Sequence, residues 1–305
     1  MTFKLKILGS NAAAPAHNRN QTSQLVQVNN HIFLIDCGEG TQLLLKKHKV
    51  KFSRINHIFI SHLHGDHYFG LIGLISTIHL YGRVEDLYLY GPPGLGEIIS
   101  LQLKHSNTTL KFDIKLKEWE PGEVETLFED KLITVQSFPT DHRIACSGYL
   151  IKEKPLNRRI VKEKLPEGIL PSQIGTLKNG KDVVDEDGNL VFKNADHTAD
   201  PRKAYTYAYC ADTKYTELLI PLLKGADLVY HEATFMEDMA ERAELTYHST
   251  AKQAALFAKK ARVGKLVLGH FSTRYKNLEP VLQEAREVFS ESYLGLEGEE
   301  FVLLA

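Results

Sequence analysis

The stretch Ile55-Asn56-His57-Ile58-Phe59-Ile60-Ser61-His62-Leu63-His64-Gly65-Asp66-His67 decides the reading of this chain. Ile55 to Ile60 reads as a buried strand, and it runs straight into a cluster of histidines and an aspartate. His62, His64, Asp66 and His67 place four potential ligands within six positions. Neutral imidazole and carboxylate suit zinc, with iron or manganese as alternatives. Alternate residues of an extended strand end point the same way, so His62 and His64 can grip one ion together. Asp66 and His67 lie past the bend at Gly65 and can face a second ion. A polar strand end with solvated histidines is the competing reading, and four such residues at this spacing argue against it.

Three further candidates stand alone at strand ends: His142 after Phe138-Pro139-Thr140-Asp141, Asp212 after Cys210-Ala211, and His270 after Leu266-Val267-Leu268-Gly269. Each follows an apolar run and opens a loop, where α/β folds build their sites. Singly, each reads as a cap or surface residue. Together with the cluster, they complete the coordination that a catalytic metal site needs, with a position left open.

The bulk composition bounds the rest. The chain has 305 residues, 43% apolar and 25% charged, which is ordinary for a globular protein. A net charge of -1 gives no global support for a nucleic-acid binder, so any such contact must come from a local basic patch. Cys37, Cys146 and Cys210 are too few and too far apart for a disulfide framework. The first residues lack a secretory pattern, and no stretch approaches the roughly 18 apolar residues of a membrane span. The expectation is a cytoplasmic protein with no membrane segment.

Short apolar runs alternate with helical stretches, which predicts a layered α/β protein. Strands are expected at Lys4–Leu8, His31–Ile35, Leu87–Tyr90, Leu132–Phe138, Ala204–Ala211, Leu228–His231 and Leu266–His270. Helices are expected from Gly40 to Lys47, Ala251 to Lys260 and Glu279 to Phe289. Phe69 to Leu80 is apolar at nearly every position, which predicts a helix buried all round. From about Lys152 to Lys203 the chain turns polar, rich in Gly and Pro, with Arg158, Arg159, Lys162, Lys164, Lys178 and Lys181. Asp185-Glu186-Asp187-Gly188-Asn189 reads as the tip of a small hairpin. The segment is either an insertion projecting from the core or a disordered surface loop.

These motifs resemble the metallo-β-lactamase superfamily. Within it, the chain resembles the ribonuclease Z family of tRNA 3′-processing endonucleases. The resemblance rests on Asp36-Cys37-Gly38-Glu39-Gly40-Thr41, the Ser61 to His67 cluster, His142, Asp212, His231-Glu232-Ala233-Thr234, His248-Ser249-Thr250 and Phe271-Ser272-Thr273-Arg274-Tyr275. The cluster alone identifies only the superfamily. The loops at Glu232 and His248, with the Phe271 to Tyr275 stretch, point to ribonuclease Z.

The resemblance implies a single domain over residues 1–305, an αββα sandwich with the metals at one edge. It implies two Zn2+ per subunit, with His62, His64 and His142 on one ion, Asp66, His67 and His270 on the other, and Asp212 bridging. A hydroxide between the ions would attack the phosphodiester, since metal binding lowers the pKa of water from about 15.7 toward 7. Asp66 would hold or accept its proton. His248 is the candidate general acid for the departing O3′, oriented and kept charged by Glu232; the other reading has His248-Ser249-Thr250 only capping the next helix. Arg274, with Ser272 or Thr273, would contact a substrate phosphate, against the alternative of a structural salt bridge. Asp36 would hydrogen-bond a ligand histidine and fix its tautomer.

Residues 152–195 would form a flexible arm, including Lys178, that clasps the precursor tRNA, within a homodimer. Gly168-Ile169-Leu170-Pro171 departs from the adjacent Gly-Pro pair common in the family, which puts the arm's shape in doubt. Two alternatives remain: a small-molecule phosphodiesterase or arylsulfatase on the same core, and a non-catalytic tRNA-binding protein.

Overall fold

A computed structural model describes residues 3–303. Two seven-stranded sheets face each other. The first runs, edge to edge, Glu300–Leu303, Phe3–Gly9, Ser23–Val28, His31–Ile35, His57–Phe59, Leu87–Gly91 and Ile114–Glu118. The second runs Ser292–Leu294, Lys265–Gly269, Leu228–Glu232, Thr206–Cys210, Ser147–Glu153, Ile133–Pro139 and Glu125–Glu129.

Alternation along the strands explains the layering. Phe33 and Ile35 join Tyr149, Tyr207, Tyr209 and Tyr230 in the core between the sheets. Ile32 and Leu34 point the other way, under Leu44, Leu45, Leu71 and Leu74 of the helices covering the first sheet. Val229, Leu266 and Leu268 do the same under Ala254, Phe257 and Val281 on the second sheet. Strands buried on both faces read as continuous apolar runs. The result is the expected αββα sandwich of the metallo-β-lactamase fold.

Two elements differ from their sequence reading. The run Phe69 to Leu80 is not one helix buried all round. A short helix, Gly65–Tyr68, precedes Leu71–Leu80, of which Leu71, Leu74, Ile75 and Ile78 are buried. Phe69, Leu80 and Tyr81 are 60%, 80% and 66% exposed. The helix buries one side, leaves Ile72, Gly73, Ser76, Thr77 and His79 half-buried on the other, and exposes apolar residues only at and beyond its two ends. The segment after Glu153 also has more structure than its composition predicts. It holds the helix Pro171–Lys178, with proline at its first turn, a small hairpin, and a two-residue antiparallel pairing of Arg159–Ile160 with Thr198–Ala199 that closes the segment. The expected hairpin around Asp185 to Asn189 pairs Val183 with Phe192.

This segment leaves and re-enters the sheet between adjacent strands, Ser147–Glu153 and Thr206–Cys210. Arg202 grips the buried Glu153 with two bonds of 2.6 and 2.7 Å at its base. Within it, buried Asn194 donates to the Leu177 and Lys181 carbonyls and so supplies the order that apolar periodicity lacks.

A close backbone approach docks the turn that carries His64 to His67. Cys37 N–H donates to the His67 carbonyl at 2.7 Å, and Gly70 N–H to the Cys37 carbonyl at 2.9 Å. A Cβ on Gly70 would lie 2.1 Å from the Gly38 carbonyl oxygen, which is backbone and cannot yield. Gly70→Ala is therefore expected to cost about 1–3 kcal/mol and to lower bound metal. Denaturant titration and elemental analysis check it, and an unchanged midpoint would contradict the docking argument. No described helix is long and apolar enough to cross a membrane.

Candidate metal centre

Strand ends along one edge of the sandwich supply the site. His31–Ile35 leads into Asp36, His57–Phe59 into Ser61 to His67, and Ile133–Pro139 into His142. Thr206–Cys210 leads into Asp212, and Lys265–Gly269 into His270. Asp36, Asp212 and His270 adopt left-handed backbones, with φ of 55°, 49° and 55°. Such φ values are disfavoured for side-chain-bearing residues and persist where the surroundings over-determine them.

The ligand atoms of His62, His64, His142 and Asp212 all lie within 4.8 Å of one another, as do those of Asp66, His67 and His270. Asp212 belongs to the first set and reaches two rings of the second. Its Oδ2 is 3.4 Å from His62 Nε2 and 3.7 Å from His142 Nε2. Its Oδ1 is 3.5 Å from His67 Nε2 and 3.1 Å from His270 Nε2. Asp66 Oδ2 sits 3.5 and 3.4 Å from the same two nitrogens.

The outer partners set the tautomers. His67 Nδ1 donates to Asp36 Oδ2 at 2.7 Å. Ser61 hydroxyl donates to Asp36 at 2.8 Å, so its oxygen is free to accept from His62 Nδ1 at 3.0 Å. His142 Nδ1 donates to the Tyr247 carbonyl at 3.0 Å. Thr234 hydroxyl donates to Glu232 at 2.6 Å and accepts from His270 Nδ1 at 2.9 Å. Each of these rings thus turns a lone pair inward. His67 Nε2 and His270 Nε2 face each other at 3.2 Å, and in neutral rings neither can donate to the other.

The charge balance asks for the same partner. Burial holds His62, His64 and His142 down to about 4, so all three rings are neutral at pH 7, the form that can hold a cation. Burial favours a neutral Asp212, but the imidazoles, His270 first, keep its carboxyl well below the usual range. Burial disfavours charge on His67, but Asp212, Asp66 and Asp36 outweigh it and draw a proton onto the ring, the place that a bound cation would take. Asp212 Oδ1 is buried without a hydrogen-bond donor. Converging lone pairs and buried carboxylates form a donor set that fits divalent cations.

Beside this centre, His248 Nδ1 lies 3.1 Å from both oxygens of the fully buried Glu232. Burial lowers the His248 pKa, but the Glu232 carboxylate outweighs it and raises the pKa to about 9. His248 also comes within ligand range of Asp212 and His270. A protonated ring occupied at Nδ1 is a poor ligand, so the geometry favours a proton carrier there. The helix cap is made separately, by Thr250 hydroxyl accepting from Gln253 N–H at 3.1 Å.

The centre opens into a cleft of about 770 Å³ lined by Ala13, Phe69, Arg143, Arg242, Ser272, Thr273 and Arg274, among others. Arg274 is exposed and forms no ion pair among the described residues, so the salt-bridge reading has no partner. Ser272 Oγ accepts the Arg274 N–H at 3.4 Å, and the Thr273 carbonyl meets His17 Nε2 at 2.9 Å. Lys178 is exposed at the end of its helix and does not line this cleft.

Sequence reasoning missed Arg143 and Arg242, and it gave no role to Ser61 and Thr234, which lie inside the quoted motifs. Arg143 follows the candidate ligand His142, a signal that was available. Arg242 reaches the cleft from the helix Ala240–Thr246, which no motif marked. His231, buried against Phe257, bonds only the Glu232 backbone.

Comparisons with known proteins give the family. The family model described as anti-Pycsar protein Apyc1 matches residues 3–154. The ribonuclease Z of Cytophaga hutchinsonii is 48% identical over 301 residues, covering 99% of this chain and 96% of its own. This chain belongs to the ribonuclease Z family. The ribonuclease Z of Bacteroides fragilis is 42% identical, covering 97% of each chain. The crystal structure of the short form of human tRNase Z superposes with a TM-score of 0.72 at 28% identity, covering 98% of each chain. The Apyc1-type match takes in His62 to His142 and stops near the inserted segment. The ribonuclease Z relatives continue through Asp212, Glu232, His248 and His270.

Proposed function

We infer that this ribonuclease Z family member is an endoribonuclease that removes the 3′ trailer of precursor tRNA. It uses two zinc ions per subunit and cuts after the discriminator base, leaving a 3′-hydroxyl. The observation that carries the reading is Asp212, with one carboxylate oxygen toward each imidazole set, beside the His248–Glu232 pair. His62, His64 and His142 would hold one ion, Asp66, His67 and His270 the other, and Asp212 both. When bound, such ions lower the pKa of water from about 15.7 toward 7 and neutralise phosphate charge.

The chain's own groups do the rest. Asp66 accepts the Ala13 N–H through Oδ2 at 2.8 Å, which leaves Oδ1 to hold or take the proton of the attacking water. His248, fixed through Nδ1, delivers its Nε2 proton to the departing O3′. Glu232 keeps that ring charged and oriented. Asp36 fixes the His67 tautomer. Arg274, Arg143 and Arg242 meet backbone phosphates, with hydrogen bonds from Ser272 and Thr273. Incubating the protein with a 3′-extended precursor tRNA and zinc or manganese tests the reading; absence of cleavage would overturn it.

Residues 152–195 serve as the tRNA-binding arm, with Lys178 among the phosphate contacts, in a cytoplasmic homodimer. Its basic side chains and its origin between two adjacent strands support this. Replacing residues 156–200 by a short Gly-Ser linker keeps the Glu153–Arg202 clamp. The variant should still hydrolyse small phosphodiesters but lose tRNA cleavage, with a shallower salt dependence of binding. Intact tRNA processing would remove the arm from the reading.

A further inference from the structure

We propose that Phe69 is a stacking platform for the nucleobase next to the scissile phosphodiester, seated at the lip of the cleft by Gly65. The proposal rests on the endoribonuclease reading above.

Phe69 follows the ligand His67 by two residues and lines the same cleft as Asp66, His248 and His270. It is 60% exposed, although the helix that follows buries Leu71, Leu74 and Ile75 completely. Folding therefore gains little from an aromatic ring here. The other phenylalanine lining the cleft, Phe235, is only 6% exposed and belongs to the wall.

The ring is held rather than loose. Carbons Cδ2, Cε2 and Cζ of Phe69 lie 2.2–2.6 Å from where a Cβ on Gly65 would sit. Gly65 has no positive φ, so its backbone does not require glycine. The missing Cβ is what lets the ring lie flat against this turn; a larger residue would displace the ring. Tyr68 meets the same ring edge-on at 5.1 Å. The position thus combines a small residue that makes room, a fixed aromatic ring, and solvent on the side toward the cleft.

The chemistry of the occupant follows from the site's reaction. In the endoribonuclease reading the linkage lies in the single-stranded 3′ end of the precursor, where bases can leave the stack. An unstacked base gains most from an aromatic face, whatever its identity. Arg143, Arg242 and Arg274 line the same cleft and suit the flanking phosphates. An exposed ring beside three arginines is the arrangement that single-stranded nucleic acid selects.

The test pairs protein variants with altered RNA. Phe69→Ala and Phe69→Leu are assayed on a precursor with all bases present, and on two precursors abasic on either side of the scissile linkage. Both variants should lose about 10- to 100-fold in kcat/KM on the intact precursor, with metal content unchanged. Phe69→Tyr, which keeps the aromatic face, should recover most of that loss. On one abasic precursor the wild type should drop by a similar factor and the variants no further, which identifies the stacked base. Wild-type rates for Phe69→Leu, or the full penalty on both abasic precursors, would overturn the proposal.

A second measurement does not depend on cleavage. Trp119 is buried at 2% exposure, so Phe69→Trp adds the one exposed indole. Its fluorescence should be quenched by a non-cleavable single-stranded oligonucleotide and not by the same backbone without bases. Equal responses to both would also overturn the stacking role. Failure of the wild type to cut any precursor would instead overturn the endoribonuclease reading.

Discussion

Asp212→Ala should remove nearly all activity and most of the bound metal. Asp212 contributes an oxygen to each imidazole set, at 3.4 Å from His62 Nε2 and 3.1 Å from His270 Nε2. Its loss leaves each set one donor short and takes away the negative charge they share. Losing one preorganised donor commonly costs about 10²–10³-fold in rate. Losing a group shared by both ions should exceed about 10³-fold. Elemental analysis of the purified variant should show fewer ions per chain than the wild type. The fold should persist, because the sheets owe their stability to the aromatic core between them and not to this edge. Full metal content with full activity would refute the shared-ligand arrangement.

His248→Ala should lower the rate of the chemical step by about 10²–10⁴-fold while leaving metal content intact. The geometry supplies the reason. Nδ1 is committed to Glu232 at 3.1 Å, so the ring can neither rotate nor lose its charge easily. A pKa of about 9 keeps the acid form present at neutral pH. The rate should therefore be level through neutrality and fall as pH rises through about 9. In His248→Ala that alkaline limb should disappear. In Glu232→Gln it should move down, because the carboxylate that raised the pKa is gone.

Stability follows the same sign. A histidine whose pKa is higher folded than unfolded stabilises the fold fully below its unfolded value. That contribution fades from about pH 6.5 and is lost as pH rises through about 9. Glu232→Gln should also destabilise the fold more than His248→Ala does. Glu232 accepts the Thr213 and Ser249 backbone N–H groups at 2.6 and 3.1 Å besides binding Thr234 and His248. A pH profile unaltered in both variants would take His248 out of acid catalysis.

Much of this site was legible in the sequence because its signals are local. His62, His64, Asp66 and His67 fall on one strand end and the turn after it, where spacing alone sets the direction of side chains. His142, Asp212 and His270 were visible because apolar runs announce strands and strand ends open into loops. The helix after Phe69 was misread for the converse reason: apolar residues also stand at its exposed ends, and exposure is not a property of a window of sequence. The inserted segment was under-read because its order comes from Asn194 and Arg202, which bond across many residues of chain.

The sequence by itself determined the ligand cluster and the layered fold, since strand periodicity and ligand spacing are written within a few residues, and its motifs at Glu232, His248 and Phe271 to Tyr275 carried the family resemblance. The tertiary structure alone decided how those groups are used. It put Asp36 against His67, turned each imidazole lone pair inward, and gave Asp212 one oxygen toward each set. It also brought Arg143 and Arg242 to one cleft and left Phe69 bare beside Gly65. Those outcomes depend on the distance between side chains from different strands. That distance is fixed only when two sheets close over a common core.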